Sequence, residues 1–141
     1  MTRRRRIATR FVLALVLLAG AASASELDDR IAGANLKRGQ LFYMQCKACH
    51  DLEAGVPHKV GPNLNGILGR KAGAAAGFKY SDVLVKSGVV WSRETLDAWI
   101  GQPAALVPGN AMAYPGIAND ADRAAVIAWM LANGADSAAK P

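Results

Sequence analysis

The segment Cys46-Lys47-Ala48-Cys49-His50 constrains this chain more than any other stretch. It has the spacing C-x-x-C-H, at which haem is attached covalently. Two thiols on one helical turn can add to the two vinyl groups of a porphyrin, and the adjacent imidazole can then bind the iron. The motif therefore predicts one haem c, bound through Cys46 and Cys49, with His50 as an axial ligand of the iron.

Three other interpretations of the motif compete with haem. A redox dithiol is typical of a βαβ setting, for which the sequence gives no signal. A tetrahedral zinc site needs four ligands, and the chain has only two cysteines and two histidines, of which Cys49 and His50 are adjacent. A chance match is the third interpretation, and the rest of the chain favours haem.

Residues 1–24 have the pattern of an export signal. A basic segment at 2–10 precedes the short apolar run FVLALVLLA, and Ala22-Ser23-Ala24 fits the A-x-A cleavage box. The run is shorter than the roughly 20 residues of a membrane span. We therefore expect cleavage after residue 24, a periplasmic domain at 25–141 and no membrane span in the mature protein. A retained N-terminal anchor is the alternative.

The export route follows from the cofactor. Paired arginines are typical of twin-arginine signals, which carry folded proteins, whereas a chain that receives haem outside must cross unfolded. This favours the general secretory route. In that oxidising compartment two cysteines would form a disulfide unless haem takes them.

The charge of the chain gives no support for nucleic-acid binding. Five of its 17 Lys and Arg residues lie in the basic segment, so that 12 remain against 11 acidic residues. Two haem propionates would bring the net charge to about −1. No basic patch with interleaved aromatic residues occurs.

The sequence predicts an all-α domain with long loops. Helices are expected from about residue 35 to 48, from Ser92 to about Gly101, and from Asn119 to about Asn133, where Gly134 stops the last one. Loops rich in Gly and Pro are expected at 55–77 and 103–117. So few helical residues cannot form a sufficient hydrophobic core alone, and a porphyrin would supply the rest.

The second iron ligand is expected from four candidates: His58, Met44, Met130 and Met112. His58 lies in a loop only eight residues after His50, Met44 shares the helix of the first cysteine, and Met130 belongs to an apolar helical stripe. Met112 lies in a Pro/Gly-rich loop with no helical period to bury it. It is therefore the favoured ligand, and a six-coordinate iron with a thioether favours electron transfer over oxygen chemistry.

From Gly39 to about Ala132 the chain resembles the class I cytochromes c, close to their mitochondrial and photosynthetic-bacterial branch. The blocks that carry the resemblance, in family order, are VGPNLNGILGRKAG (60–73), GFKYSDV (77–83), VVWSRETLDAWI (89–100) and VPGNAMAYPGI (107–117). The resemblance implies the class I cytochrome c fold, in which helices and loops wrap one covalent haem c.

The resemblance also implies roles for further residues. The carbonyl of Pro62 would accept a hydrogen bond from His50, and Arg70, Tyr80 and Trp91 would donate to the buried haem propionates. Gly39 would let the first and last helices cross closely, with Tyr43 and Trp129 as aromatic neighbours. Asn110 stands where the family commonly has a hydroxyl residue near a propionate.

The chain departs from its mitochondrial relatives at several positions. Leu84 replaces an asparagine of the internal water network, and Trp99 replaces a tyrosine near the methionine sulfur. Lys59 remains from the ring of lysines around the haem edge, while Gln45, Ala104, Ala105, Ala111 and Ala118 occupy other ring positions. We therefore expect docking that depends weakly on ionic strength.

The function expected from these features is that of a monomeric, soluble periplasmic one-electron carrier and not an enzyme. It would shuttle electrons between redox partner proteins. One alternative is a dedicated haem subunit of a larger oxidoreductase, which a large exposed apolar patch would favour. Another is a haem enzyme or sensor with an open distal site, which requires Met112 to be away from the iron.

Overall fold

Six helices account for the regular structure of residues 24–136, the part of the chain that the computed structural model describes. They are α1 (residues 24–32), α2 (Leu36–Lys47), α3 (Asp82–Lys86), α4 (Arg93–Gly101), α5 (Pro103–Leu106) and α6 (Asp120–Met130). A single turn of π-helix, Leu131–Ala135, follows α6. Strand pairing within this part is limited to a single bridge between Lys71 and Val90. The predicted all-α architecture is confirmed.

Polar caps start three of the helices where the sequence predicts. Asn35, Ser92 and Asn119 each accept a hydrogen bond at 3.0–3.2 Å from the backbone N–H three residues later. Such bonds satisfy N–H groups that have no partner within the helix. α6 ends at Met130, three residues earlier than expected, and Gly134 then leaves the helical range with φ +119°. A φ in this region favours glycine.

α2 and α6 cross at Gly39. A Cβ atom at Gly39 would lie 2.0 Å from the carbonyl oxygen of Ala125 and 2.9 Å from Cβ of Trp129. Beside the crossing, the rings of Tyr43 and Trp129 pack with their centroids 4.5 Å apart. Only glycine therefore allows the two backbones to approach this closely, and α2 in turn carries the first cysteine of the motif.

Gly39→Ala is expected to lower the stability of the folded protein sharply. The added methyl would meet backbone on α6, so the helices must separate, and overpacking of this kind costs about 1–3 kcal/mol or more. Thermal unfolding of the haem-loaded protein measures the effect. Gly33→Ala is the matched control, because its Cβ would lie 3.4 Å from the nearest atom, Asp29 O. Equal melting temperatures for the two variants would contradict the close crossing.

α1 is a helix that the sequence analysis did not predict. Its apolar side chains Leu27 and Ile31 are only 4% and 9% exposed and belong to the core. Ion pairs tie it to the first residues of two other helices: Arg30 to Asp120 at 3.1 Å, and Asp28 to Arg93 at 2.9 Å. The core of the domain therefore includes residues ahead of the stretch that carries the family resemblance.

Two short helices interrupt segments for which no helix was predicted. α5 lies inside the expected loop at 103–117, where Pro103 occupies the first helical position. α3 follows the expected loop at 55–77, which is irregular in the structure apart from the bridge residue Lys71. Helices of four or five residues carry too short a pattern for periodicity to detect.

The predicted export signal lies outside the described residues, except for Ala24, which begins α1. Between residues 24 and 136 no helix has the length and apolar character needed to cross a bilayer.

Candidate functional site

A cavity of about 460 Å³ brings together every site residue predicted from the sequence. Its volume falls within the range of about 300–1,000 Å³ typical of ligand and cofactor pockets. The predicted residues on its wall are Cys46, Cys49, His50, Pro62, Arg70, Tyr80, Trp91 and Met112. Much of the remaining wall is apolar, as a porphyrin requires, and comes from Leu64, Ile67, Leu96, Ile100 and Met130.

The two cysteines lie at the end of α2 as half-buried free thiols. The backbone N–H groups of Cys49 and His50 both donate to the carbonyl of Cys46, at 3.0 and 2.8 Å. This tight turn brings all three side chains to one cavity wall. Burial raises the pKa of the Cys46 thiol to about 11, so that thiol is neutral at pH 7.

His50 is held in one tautomer by Pro62. Its Nδ1 lies 2.7 Å from the carbonyl oxygen of Pro62. Because a carbonyl can only accept, Nδ1 carries the proton and Nε2 keeps a free lone pair. Burial lowers the pKa of His50 and nearby Lys59 lowers it further, although the bond to Pro62 opposes both. The imidazole is therefore neutral, which is the form that binds a metal.

The absence of a side chain at Gly61 leaves room for the imidazole of His50. A Cβ atom there would lie 2.3 Å from Cε1 of His50, and the Gly61 N–H donates to the carbonyl of Cys49 at 2.8 Å. The residues at this end of the cavity fit haem c, because two free thiols, an oriented imidazole and an apolar wall share one space.

Met112 is half-buried on the same cavity wall, in a loop held by its own side chains. Its N–H donates to Oδ1 of Asn110 at 2.9 Å, and Nδ2 of Asn110 donates to the carbonyl of Val107 at 2.8 Å. The hydroxyl of Tyr114 donates to Oε1 of Gln45 at 3.3 Å, which joins the loop to α2. These bonds order the loop that carries the thioether.

The predicted propionate donors share the cavity wall but are engaged to different degrees. The guanidinium of Arg70 donates to the carbonyls of Asn65 and Asn63 at 3.2 and 3.1 Å, which leaves further N–H groups for a carboxylate. Burial raises the pKa of Tyr80, so its hydroxyl remains protonated and able to donate. A carboxylate buried beside apolar groups needs such donors.

Leu84 and Trp99, two of the departures from the mitochondrial pattern, also line the cavity. Leu84 is half-buried there, and Trp99 packs edge-on against Trp91 with ring centroids 5.4 Å apart. These two positions therefore present an apolar side chain and an indole to the cofactor space.

The other candidate ligands have different surroundings. His58 bridges two loops: Nε2 donates to the carbonyl of Ala76, and Nδ1 accepts from the N–H of Asn63, both at 2.9 Å. Both ring nitrogens are therefore occupied. Met44 is 56% exposed on α2, whereas Met130 is buried in the core and shares the cavity wall with Met112.

Asn63 and Asn110 have roles that the sequence analysis missed. Asn63 is buried, and its amide donates to the carbonyls of Glu53 and Val56, which folds the loop after the motif. Asn110 was considered as a propionate contact, but its side chain is used within its own loop. Asparagine beside glycine is a turn signal, and it was the available clue at Asn110.

Lys59 is less free than its position in the lysine ring suggests. Its ammonium donates to the carbonyls of Lys47 and His50 and lies 3.4 Å from the carboxylate of Asp51. Lys79, by contrast, is an exposed lysine on the cavity wall that the sequence analysis did not single out.

Known proteins that are similar to this chain are cytochromes. The family "Cytochrome c" matches residues 36–133. A cytochrome c2 iso-2 of Magnetospirillum fulvum is 52% identical over 85 residues, which cover 60% of this chain and 88% of that protein. A cytochrome c2 of Rhodomicrobium vannielii is 40% identical over 82% of this chain and 91% of its own length. A cytochrome c of Kluyveromyces lactis is 40% identical over 70% of this chain and 90% of its own length.

The family match covers α2 to α6 and therefore every residue on the cavity wall. It confirms the class I cytochrome fold and the haem c that the motif predicts. The chain belongs to the cytochrome c family, whose members bind haem c covalently and transfer electrons rather than catalyse a reaction.

Proposed function

We propose that this protein is a monomeric periplasmic one-electron carrier whose haem iron is bound by His50 and Met112. Haem c supplies the redox couple, and the chain supplies its surroundings. The observation that supports it is that His50, whose Nδ1 is bound by Pro62, and Met112 line one cavity whose wall also holds both cysteines. Cleavage after residue 24 by way of the general secretory route, leaving residues 25–141, is part of this proposal.

The residues of the chain have separate tasks in this scheme. Cys46 and Cys49 anchor the cofactor, and Pro62 orients the imidazole of His50. Arg70, Tyr80 and Trp91 are proposed to donate to the propionates. The apolar wall excludes water, which reduces the reorganisation that accompanies electron transfer. With His50 and Met112 both bound to it, the iron would have no vacancy for a substrate.

Magnetic circular dichroism of the purified oxidised protein tests the ligand pair, because thioether and nitrogen ligands give ferric haem different spectra. We expect the spectrum of a histidine and a methionine ligand. Rapid binding of carbon monoxide by the reduced wild type would instead favour the enzyme or sensor with an open site.

A second candidate function is a dedicated haem subunit of a larger oxidoreductase. It is favoured by exposed apolar side chains on α2 and on the cavity wall: Leu41 is 71% exposed, Met44 56% and Val60 81%. Val60 lies on the cavity wall, as does Gln45 beside Met44. Sedimentation of the haem protein extracted in mild detergent separates the two functions, since a carrier should sediment as a free monomer.

A further inference from the structure

The ammonium group of Lys59 is bound to the backbone of the segment that carries the two cysteines and His50. Nζ donates to the carbonyl oxygen of Lys47 at 2.9 Å and to that of His50 at 3.0 Å. It also lies 3.4 Å from a carboxylate oxygen of Asp51. An ammonium has three hydrogens to donate, and here each has a partner.

The two carbonyls lie at and just beyond the end of α2, where backbone oxygens have no helical partner. A helix also carries partial negative charge at its C-terminus, which a cation stabilises. Asp51 is equally fixed, because its other carboxylate oxygen accepts from the N–H groups of Leu52 and Glu53 at 2.9 and 3.1 Å. Lys59 therefore caps the helix and compensates an acid next to His50.

The residues from Lys59 to Pro62 are bonded to one another and to the segment that carries the cysteines and His50. The N–H of Lys59 donates to the carbonyl of Gly61 at 3.0 Å, and Gly61 donates to Cys49. Pro62 then reaches the imidazole of His50. His50 is thus held twice from this short stretch: its main chain by Lys59 and its ring by Pro62.

We infer that Lys59 is a positioning residue for the His50 ligand, and that its charge stabilises reduced haem rather than steering redox partners. The inference rests on the proposed function, because it takes His50 as an iron ligand. Oxidation adds one positive charge at the iron, and a cation hydrogen-bonded to the main chain of the histidine ligand opposes it. Removal of Lys59 would also leave the charge of Asp51 without compensation, so both effects favour the oxidised form.

The test compares Lys59→Gln with Lys79→Gln in the haem-loaded protein. Both lysines are exposed, but Lys79, which borders the cavity, makes no hydrogen bond or ion pair within residues 24–136. The reduction equilibrium against a reference redox dye is measured at 0.05 M and 1 M salt. At 1 M salt the Debye length is only about 3 Å, so the charge of a lysine without a partner is screened more than that of a lysine in direct contact with its partners.

Lys59→Gln is expected to shift the equilibrium toward the oxidised form by about threefold or more at both salt concentrations. The shift caused by Lys79→Gln should disappear at 1 M salt. Amide hydrogen exchange at Gly61 and Leu64, which donate to Cys49 and Asp51, should quicken only in Lys59→Gln. Lys59→Arg, which keeps the charge and the donors, should restore both readouts.

Asp51→Asn keeps the test independent of whether Lys59→Gln folds. It removes the acid while an amide oxygen can still accept the two backbone bonds, so the equilibrium should shift toward the reduced form. If both variants stay within the error of wild type at 1 M salt, the inference is overturned. A magnetic circular dichroism spectrum of the wild type without the features of histidine and methionine ligands would overturn the proposed function instead. The two failures are therefore distinguishable.

Discussion

Met112→Ala is expected to leave haem attached and to open the iron to added ligands. The two thioether bonds and His50 are unaffected by the change, but the soft sixth ligand is lost. Carbon monoxide and cyanide should then bind quickly. The reduction potential should fall by roughly 0.1–0.3 V, since axial ligands set haem potentials over about 0.8 V. Stopped-flow carbon monoxide binding and a redox titration measure the two effects.

The structure indicates that this variant will still fold. The loop around residue 112 is ordered by two bonds of the Met112 backbone: its N–H donates to Oδ1 of Asn110, and its carbonyl accepts from the N–H of Tyr114. Alanine retains that backbone. Met44→Ala is the matched control, because Met44 is exposed on α2 and does not line the cavity. Wild type that binds carbon monoxide as fast as Met112→Ala would refute the ligand assignment.

Loss of both cysteines is expected to abolish the stable fold. Without covalent haem, the cavity of about 460 Å³ is left among core side chains such as Trp91, Leu96 and Ile100. These side chains then lose the apolar surface that haem would bury. A typical domain is stable by only about 5–15 kcal/mol, so the loss of this much core is a large fraction of the total. Cys46→Ser with Cys49→Ser should therefore give a largely unfolded or molten chain.

Far-ultraviolet circular dichroism and thermal melting of the double variant check this expectation. Cys46→Ser alone is the control, because one thioether bond can still hold haem in the cavity. It should melt cooperatively at a lower temperature than the wild type. Native-like helicity with a cooperative melt in the variant that lacks both cysteines would contradict the role of haem as core.

Local signals were sufficient where a helix begins with its own cap. Asn35, Ser92 and Asn119 each bond to a backbone group three residues later, so the information lies within one turn. α1 has no comparable signal. Only Leu27 and Ile31 indicate an apolar face, and their burial depends on helices that begin some 60 residues and more along the chain.

The site residues, too, were predictable where local chemistry determines them and not where the folded path of the chain does. The motif alone indicated Cys46, Cys49 and His50, since covalent chemistry dictates their spacing. The role of Lys59 was not predictable, because its long side chain can reach solvent or backbone equally well. Only the folded path of residues 59–62 beside α2 decides between them. Likewise, the two bonds of His58 link residues 5 and 18 positions away.

α1 has a practical consequence for attaching this protein to an electrode or a fusion partner. None of residues 24–32 lines the cavity, and neither do the ion-pair partners of α1, Asp120 and Arg93. A linker joined ahead of α1 would leave the cavity wall unmodified. Shortening the chain into α1 would instead remove core side chains such as Leu27. Immobilisation through the N-terminus should therefore keep electron exchange with dissolved partners, provided that the linker ends before residue 24.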